Sequence, residues 1–109
     1  MRRVIIDECL PRRLKRLLAD VDARTVPEAG YAGLKNGELL AEIAGNFEVF
    51  VTIDANLEYQ QNLTGLEFGI VVIHARSNRL ADIEPLEKEL AQAVSGVAAG
   101  QIVYVPARP

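Results

Sequence analysis

The sequence predicts an α/β fold, a three-layer sandwich around a mostly parallel central sheet of four to five strands. Three observations carry that expectation. Short, wholly apolar runs such as Val4-Ile5-Ile6 and Ile70-Val71-Val72-Ile73 read as strands buried on both faces. Segments with leucines at helical spacing alternate with them, and strands separated by helices pair in parallel through right-handed crossovers. Two of the runs, RVIIDE and VFVTID, end on carboxylates.

A first strand is expected over residues 3–7. Pro11 then stands where helices begin, and Leu10, Leu14, Leu17, Leu18 and Val21 follow at helical spacing, which leaves Arg12, Arg13, Lys15 and Arg16 outward on a basic amphipathic helix. A weaker strand over 23–26 stops at Pro27, and Gly30, Gly33 and Gly37 mark the connection to the next helix. Asn36 is expected to cap that helix, with Leu39, Leu40, Ile43 and Ala44 inward, Glu38 and Glu42 on one outer face, and Gly45 near its end. A strand over 48–54, a short helix over 55–63 and a strand over 68–74 follow. A long helix lies within 81–99, with Pro85 in its first turn and Leu86, Leu90, Ala93, Val94 and Val97 as its apolar stripe; Gly100 ends it, and 101–105 form the last strand.

With 109 residues there is room for one domain and one continuous fold. The composition, 50% hydrophobic and 25% charged, is that of a globular protein with a packed core. Cys9 is the lone cysteine, which excludes an intrachain disulfide and a cysteine-based zinc site within one subunit. A cytoplasmic location and no membrane association are expected, since the apolar run after Arg2 and Arg3 is far shorter than a signal-peptide core and no stretch approaches spanning length. The net charge of −3 argues mildly against a strong nucleic-acid binder, but its distribution is uneven. Arg2, Arg3, Arg12, Arg13, Lys15, Arg16 and Arg24 crowd the first quarter, whereas Asp82, Glu84, Glu87 and Glu89 mark the last helix.

In an open parallel sheet, ligands bind beyond the carboxyl ends of the strands, near the point where strand order reverses. Asp7, Glu8, Asp54 and Asn56 all fall at such ends. Carboxylates confined together repel unless one takes a proton or a cation joins them. Hard oxygen ligands suit Mg²⁺ or Mn²⁺, and Mg²⁺ commonly relies on one or two carboxylates plus waters and substrate phosphate. Asp7 and Asp54 are the expected pair, with Glu8, Glu38 and Asn56 as outer members that hold or orient water. A metal-activated water needs no side-chain nucleophile, and Ser77, Ser95 and His74 suggest no triad. The simpler alternative at each position is a strand-end Asp that only caps the following turn. Arg12, Arg13 and Arg16 on the basic helix, and Arg76 after the fourth strand, are candidate contacts to phosphate.

The order of these motifs, IIDECLP and then VTIDANLEY with a Gly-rich loop and an acidic helix between them, resembles a compact PIN-like domain over nearly the whole chain. The resemblance implies a metal-dependent ribonuclease, with Asp7 and Asp54 as metal ligands, Glu38 as the acidic residue of the middle helix, and Glu8 and Asn56 shaping the site. Many small bacterial members are the toxin of a toxin-antitoxin pair, which implies RNA as substrate, an antitoxin protein as partner and a possible homodimer. Cys9, Asn36 and Asn56 depart from the pattern, standing where relatives tend to carry Asn, Asp and Asp. Each lost carboxylate weakens Mg²⁺ binding, so the alternative is a catalytically weak or silent PIN-like module that binds RNA or protein. A receiver-like phosphoacceptor domain shares acids after the first strand and an Asp after the third, but it requires a hydroxyl residue after the fourth strand and a lysine after the fifth. His74 and Pro106 stand there instead.

Overall fold

The computed structural model describes residues 1–57, 63 and 65–107. Five strands, β1 (Arg3–Ile6), β2 (Asp22–Thr25), β3 (Val49–Thr52), β4 (Gly69–Ile73) and β5 (Ile102–Val105), form one sheet in the order β2-β1-β3-β4-β5. Every pairing is parallel. The chain is therefore an α/β protein whose strand order reverses between β1 and β3, the switch point of a doubly wound sheet.

Side-chain alternation along each strand sorts the interior into two cores. Val4, Ile6, Val49, Val51, Val71, Ile73 and Val105 point to one face, where Leu10, Leu14, Leu18, Leu90 and Val94 cover them. Ile5, Phe50, Ile70 and Val72 point to the other, under Leu39, Leu40 and Ile43 of helix α1 (Asn36–Ile43). Period-two strands whose two sides are both apolar need cover on both faces, and the intervening helices supply it.

Three elements differ from expectation. The basic segment after β1 is a 3-10 helix (Arg12–Leu17), closed by i to i+3 bonds such as Leu14 N–H to Pro11 O at 3.0 Å. Its greater rise, about 2.0 Å per residue against 1.5 Å in an α-helix, carries the short crossover back along the sheet with few residues while Leu10, Leu14 and Leu18 still reach the core. Asn36 does not cap α1: it is the first helical residue, Lys35 is the N-cap, and no side chain caps that end. The C-terminal helix is broken into α2 (Leu80–Ile83), a 3-10 turn (Glu84–Leu86) and α3 (Glu87–Gly96). Pro85 explains the break, because it lacks an N–H for the preceding turn and its ring crowds the carbonyl there. The helix expected over 55–63 falls largely on 58–62, outside the described residues.

Glycine is required at two joints. Gly45 follows α1 with φ +81°, where the Phe47 N–H returns to the Ile43 carbonyl at 3.0 Å. At Gly69 a Cβ would stand 2.8 Å from the Ala98 carbonyl oxygen and from the Val97 methyls, so the start of β4 passes directly beneath the end of α3.

Candidate functional site

The geometry of the site follows from register. β1 and β3 pair with Ile6 opposite Val51, and the Asp7 N–H continues the ladder to the Val51 carbonyl at 2.9 Å. Continued by one residue, the pairing sets Asp7 beside Thr52, and strand parity puts both on the face of Ile5 and Phe50. The Thr52 hydroxyl, fully buried, donates to Asp7 Oδ2 at 2.7 Å and accepts the Asp54 N–H at 3.1 Å. One hydroxyl therefore joins the two strand ends.

The backbone beyond each strand is wound by side-chain hydrogen bonds. Thr52 and Asp54 form successive turns, Asp54 Oδ1 accepting the Asn56 N–H at 3.0 Å. Asp7 Oδ1 accepts the Glu8 N–H at 2.9 Å, and the Leu10 N–H closes on the Asp7 carbonyl at 3.0 Å. The two chains then diverge, Leu10 and Leu14 entering one core and Leu57 the other. Neighbouring strands thus send their connections to opposite faces, and Asp7 and Asp54, both half-buried, follow the two strand ends at this switch point.

Of the residues singled out from sequence, Asp7, Glu8, Asp54 and Asn56 meet at this switch point, Glu8 and Asn56 exposed and contributing backbone N–H groups. The capping role that is the simpler reading of a strand-end Asp is real for Asp54, yet it engages only Oδ1 among the described residues. Glu38 lies exposed in the first turn of α1, with no hydrogen bond or ion pair to the other acids among the described residues. Arg76 and His74 are exposed beyond β4. Thr52 is the member that sequence reasoning passed over, although its signal was present: a hydroxyl residue ending an otherwise apolar strand two positions before an acid.

Cys9 lies beside this group, its sulfur 3.9 Å from Thr52 Oγ1 and its carbonyl accepting from Asn78 Nδ2 at 2.9 Å. Burial pushes the thiol pKa up and the nearby Asp7 charge adds to the effect, against a hydrogen bond with the Ile53 backbone. The thiol stays protonated at neutral pH.

Carboxylate oxygens are the donor type that hard divalent cations take. Each acid spends an oxygen on one N–H and keeps further lone pairs, and the fixed dipoles around Asp7 orient its carboxylate. No group of three or more His, Cys, Asp or Glu able to hold a metal exists among the described residues. Two carboxylates completed by water and a phosphate oxygen is the arrangement Mg²⁺ commonly takes.

On the β2 side, Glu28 anchors the neighbouring loop. Its carboxylate accepts the Thr25 N–H at 2.9 Å and holds Lys15 Nζ at 3.0 Å, while the Glu28 N–H reaches Thr25 Oγ1 at 3.3 Å. This reciprocal arrangement is a capping box on the Thr25-Val26-Pro27-Glu28 turn. The Thr25 backbone first, and Lys15 second, hold the Glu28 carboxyl at about 2. No family model matches the chain, and no curated protein or solved structure matches it.

Proposed function

We propose that the protein is a divalent-metal-dependent ribonuclease of the PIN-like type, the toxin component of a toxin-antitoxin pair, with its reaction centre at the ends of β1 and β3. The observation that carries this reading is the link across the switch point from the Asp7 carboxylate through the buried Thr52 hydroxyl to the backbone N–H of Asp54. Bound Mg²⁺ or Mn²⁺ would supply Lewis acidity and an activated water for phosphodiester hydrolysis. Asp7 and Asp54 would hold the cation; Thr52 fixes the rotamer of Asp7; Glu8 and Asn56, at the rim, would hold or orient water. Glu38, exposed on α1, acts only if substrate draws it toward the switch point. Arg12, Arg13 and Arg16 attract the RNA backbone.

The test is cleavage of single-stranded RNA by purified protein with Mn²⁺, compared with Asp7→Asn. Turnover that falls by roughly 100-fold or more in the variant supports the reading; equal cleavage by both proteins overturns it. Binding of RNA without turnover by the wild type favours the alternative of a catalytically silent module, which the missing carboxylates at Asn36 and Asn56 would explain. The toxin role is checked by expression in a bacterial host: growth arrest relieved by Asp7→Asn is expected, and unimpaired growth removes the toxin label.

The strand order β2-β1-β3-β4-β5 with Asp54 after β3 also favours a second reading, a receiver-like phosphoacceptor. His74 and Pro106, which stand after β4 and β5, cannot supply the hydroxyl and ammonium contacts that a phosphoaspartate requires. Incubation with a small acyl phosphate decides it: an added phosphoryl mass lost in Asp54→Asn supports the receiver, and an unchanged mass rejects it.

A further inference from the structure

We infer that single-stranded RNA reaches the carboxylates from the β2 side, its phosphates on Arg12, Arg13 and Arg16 and one unstacked base in the cleft between Glu8 and Pro27. The inference rests on the ribonuclease reading and names the form and path of its substrate. Two concavities on the surface carry it. One, of ≈ 300 Å³, is lined by Glu8, Leu10, Arg12, Thr25, Pro27 and Glu28 at the carboxyl ends of β1 and β2. The other, of ≈ 370 Å³, is lined by Arg12, Arg13, Lys15 and Arg16 and by no acid. Arg12 borders both, so the two concavities adjoin between the neighbour of Asp7 and the 3-10 helix.

Charge pairing decides which of these cations are available. Lys15 is held by both oxygens of Glu28 at 3.0 Å and is neutralised there. Arg12, Arg13 and Arg16 are exposed and form no ion pair among the described residues. Among the described residues, α1 presents exposed Glu38 and Glu42 beside Lys35 and the C-terminal segment presents exposed Glu84 and Glu87 beside Lys88, whereas the outer concavity is lined by cations alone. Arg76 lines neither concavity.

The inner cleft argues for a single strand. Leu10 and Pro27 give it apolar walls and Glu8 gives it a hydrogen-bond acceptor, a setting for the face and amino edge of an unpaired base. A duplex keeps its bases stacked and offers no unpaired base to such a cleft.

The experiment is fluorescence anisotropy with the full chain in EDTA, using a labelled adenine-rich RNA 10-mer and the same strand annealed to its complement. The combined Arg12→Gln, Arg13→Gln and Arg16→Gln variant should bind the single strand about tenfold or more weakly, and should lower the slope of log K against log salt by about 2, at roughly 0.7 per phosphate contact. Arg13→Glu, a single exposed change, should weaken binding in the same direction. Arg76→Gln should change affinity less than about twofold, because Arg76 lines neither concavity. The duplex should bind more weakly than the single strand. Thermal melts confirm that each variant is folded. A loss from Arg76→Gln equal to that of the combined variant, or a duplex bound as tightly as the single strand, overturns the path. Because EDTA removes divalent ions, the expected binding pattern in a protein that never cleaves RNA would reject the ribonuclease reading and leave the path standing.

Discussion

The β1–β3 and β4–β5 pairs belong to one sheet and run parallel, yet they end in different ways. Beyond β4 and β5 the His74 N–H meets the Val105 carbonyl at 2.7 Å, the Glu89 carboxylate accepts the Ala107 N–H at 2.8 Å, and His74 and Pro106 turn to solvent. Beyond β1 and β3 the closure is made by side chains, with Thr52 between Asp7 and the Asp54 turn. The difference follows from the crossovers. Chains leaving adjacent strands for opposite faces cannot continue to pair, so polar side chains must satisfy the freed backbone groups. That requirement concentrates oriented oxygens at one place, where a cation can use them.

The comparison breaks most severely if the acids are removed. Asp54→Asn should reduce Mn²⁺-dependent RNA cleavage by roughly 100-fold or more, while His74→Ala leaves cleavage within about twofold. Equal effects would make the two strand ends functionally alike. Next in size is Thr52→Val, which preserves shape and removes the hydroxyl, so Asp7 Oδ2 loses a donor and the Asp54 N–H an acceptor. A buried polar group left unpaired costs about 1–3 kcal/mol, measurable as a lowered denaturant midpoint. Gly69→Ala tests the buried start of β4 instead: the 2.8 Å approach to the Ala98 carbonyl requires α3 to shift, a cost of about 1–3 kcal/mol with no change in metal affinity.

The smallest expected effect concerns acid stability on the β2 flank. The Glu28 carboxyl titrates at about 2 when folded against an ordinary 4.5, so its contribution is complete above about pH 4.5 and fades as pH falls toward 2. Its side chain is 38% exposed, and solvent screening keeps the contribution small. Glu28→Gln should flatten the pH dependence of the melting temperature in that interval and leave it unchanged at pH 7 relative to neighbouring pH values. A flat profile in the wild type would show that the Thr25–Glu28 capping box contributes nothing.

The sheet was largely legible because buried parallel strands advertise themselves as continuous Val and Ile runs bounded by turn residues. All five strands stand where the apolar runs and their punctuation put them, to within a residue or two, and Asp7 and Asp54 fall at the predicted ends. What escaped were effects with no signature in periodicity. Leucines every three or four residues fit an α-helix and a 3-10 helix alike, so the Arg12–Leu17 segment was assigned the commoner form. Pro85 was read as a first-turn residue, although Leu80–Ile83 already forms a turn before it. The Asp7–Thr52 contact depended on the register between β1 and β3, which is a tertiary quantity and cannot be read from either strand alone. Glu38 was placed on the correct helix, but a helix position alone does not bring its side chain to the switch point.

The most direct test of the central claim, that Asp7 and Asp54 grip one divalent ion between the ends of β1 and β3, is a Mn²⁺ titration followed by electron paramagnetic resonance on the wild type, Asp7→Asn, Asp54→Asn and His74→Ala. The account predicts a single saturable site that either Asp variant abolishes and that His74→Ala preserves. A wild type without saturable binding, or Asp variants that bind Mn²⁺ as the wild type does, would contradict it.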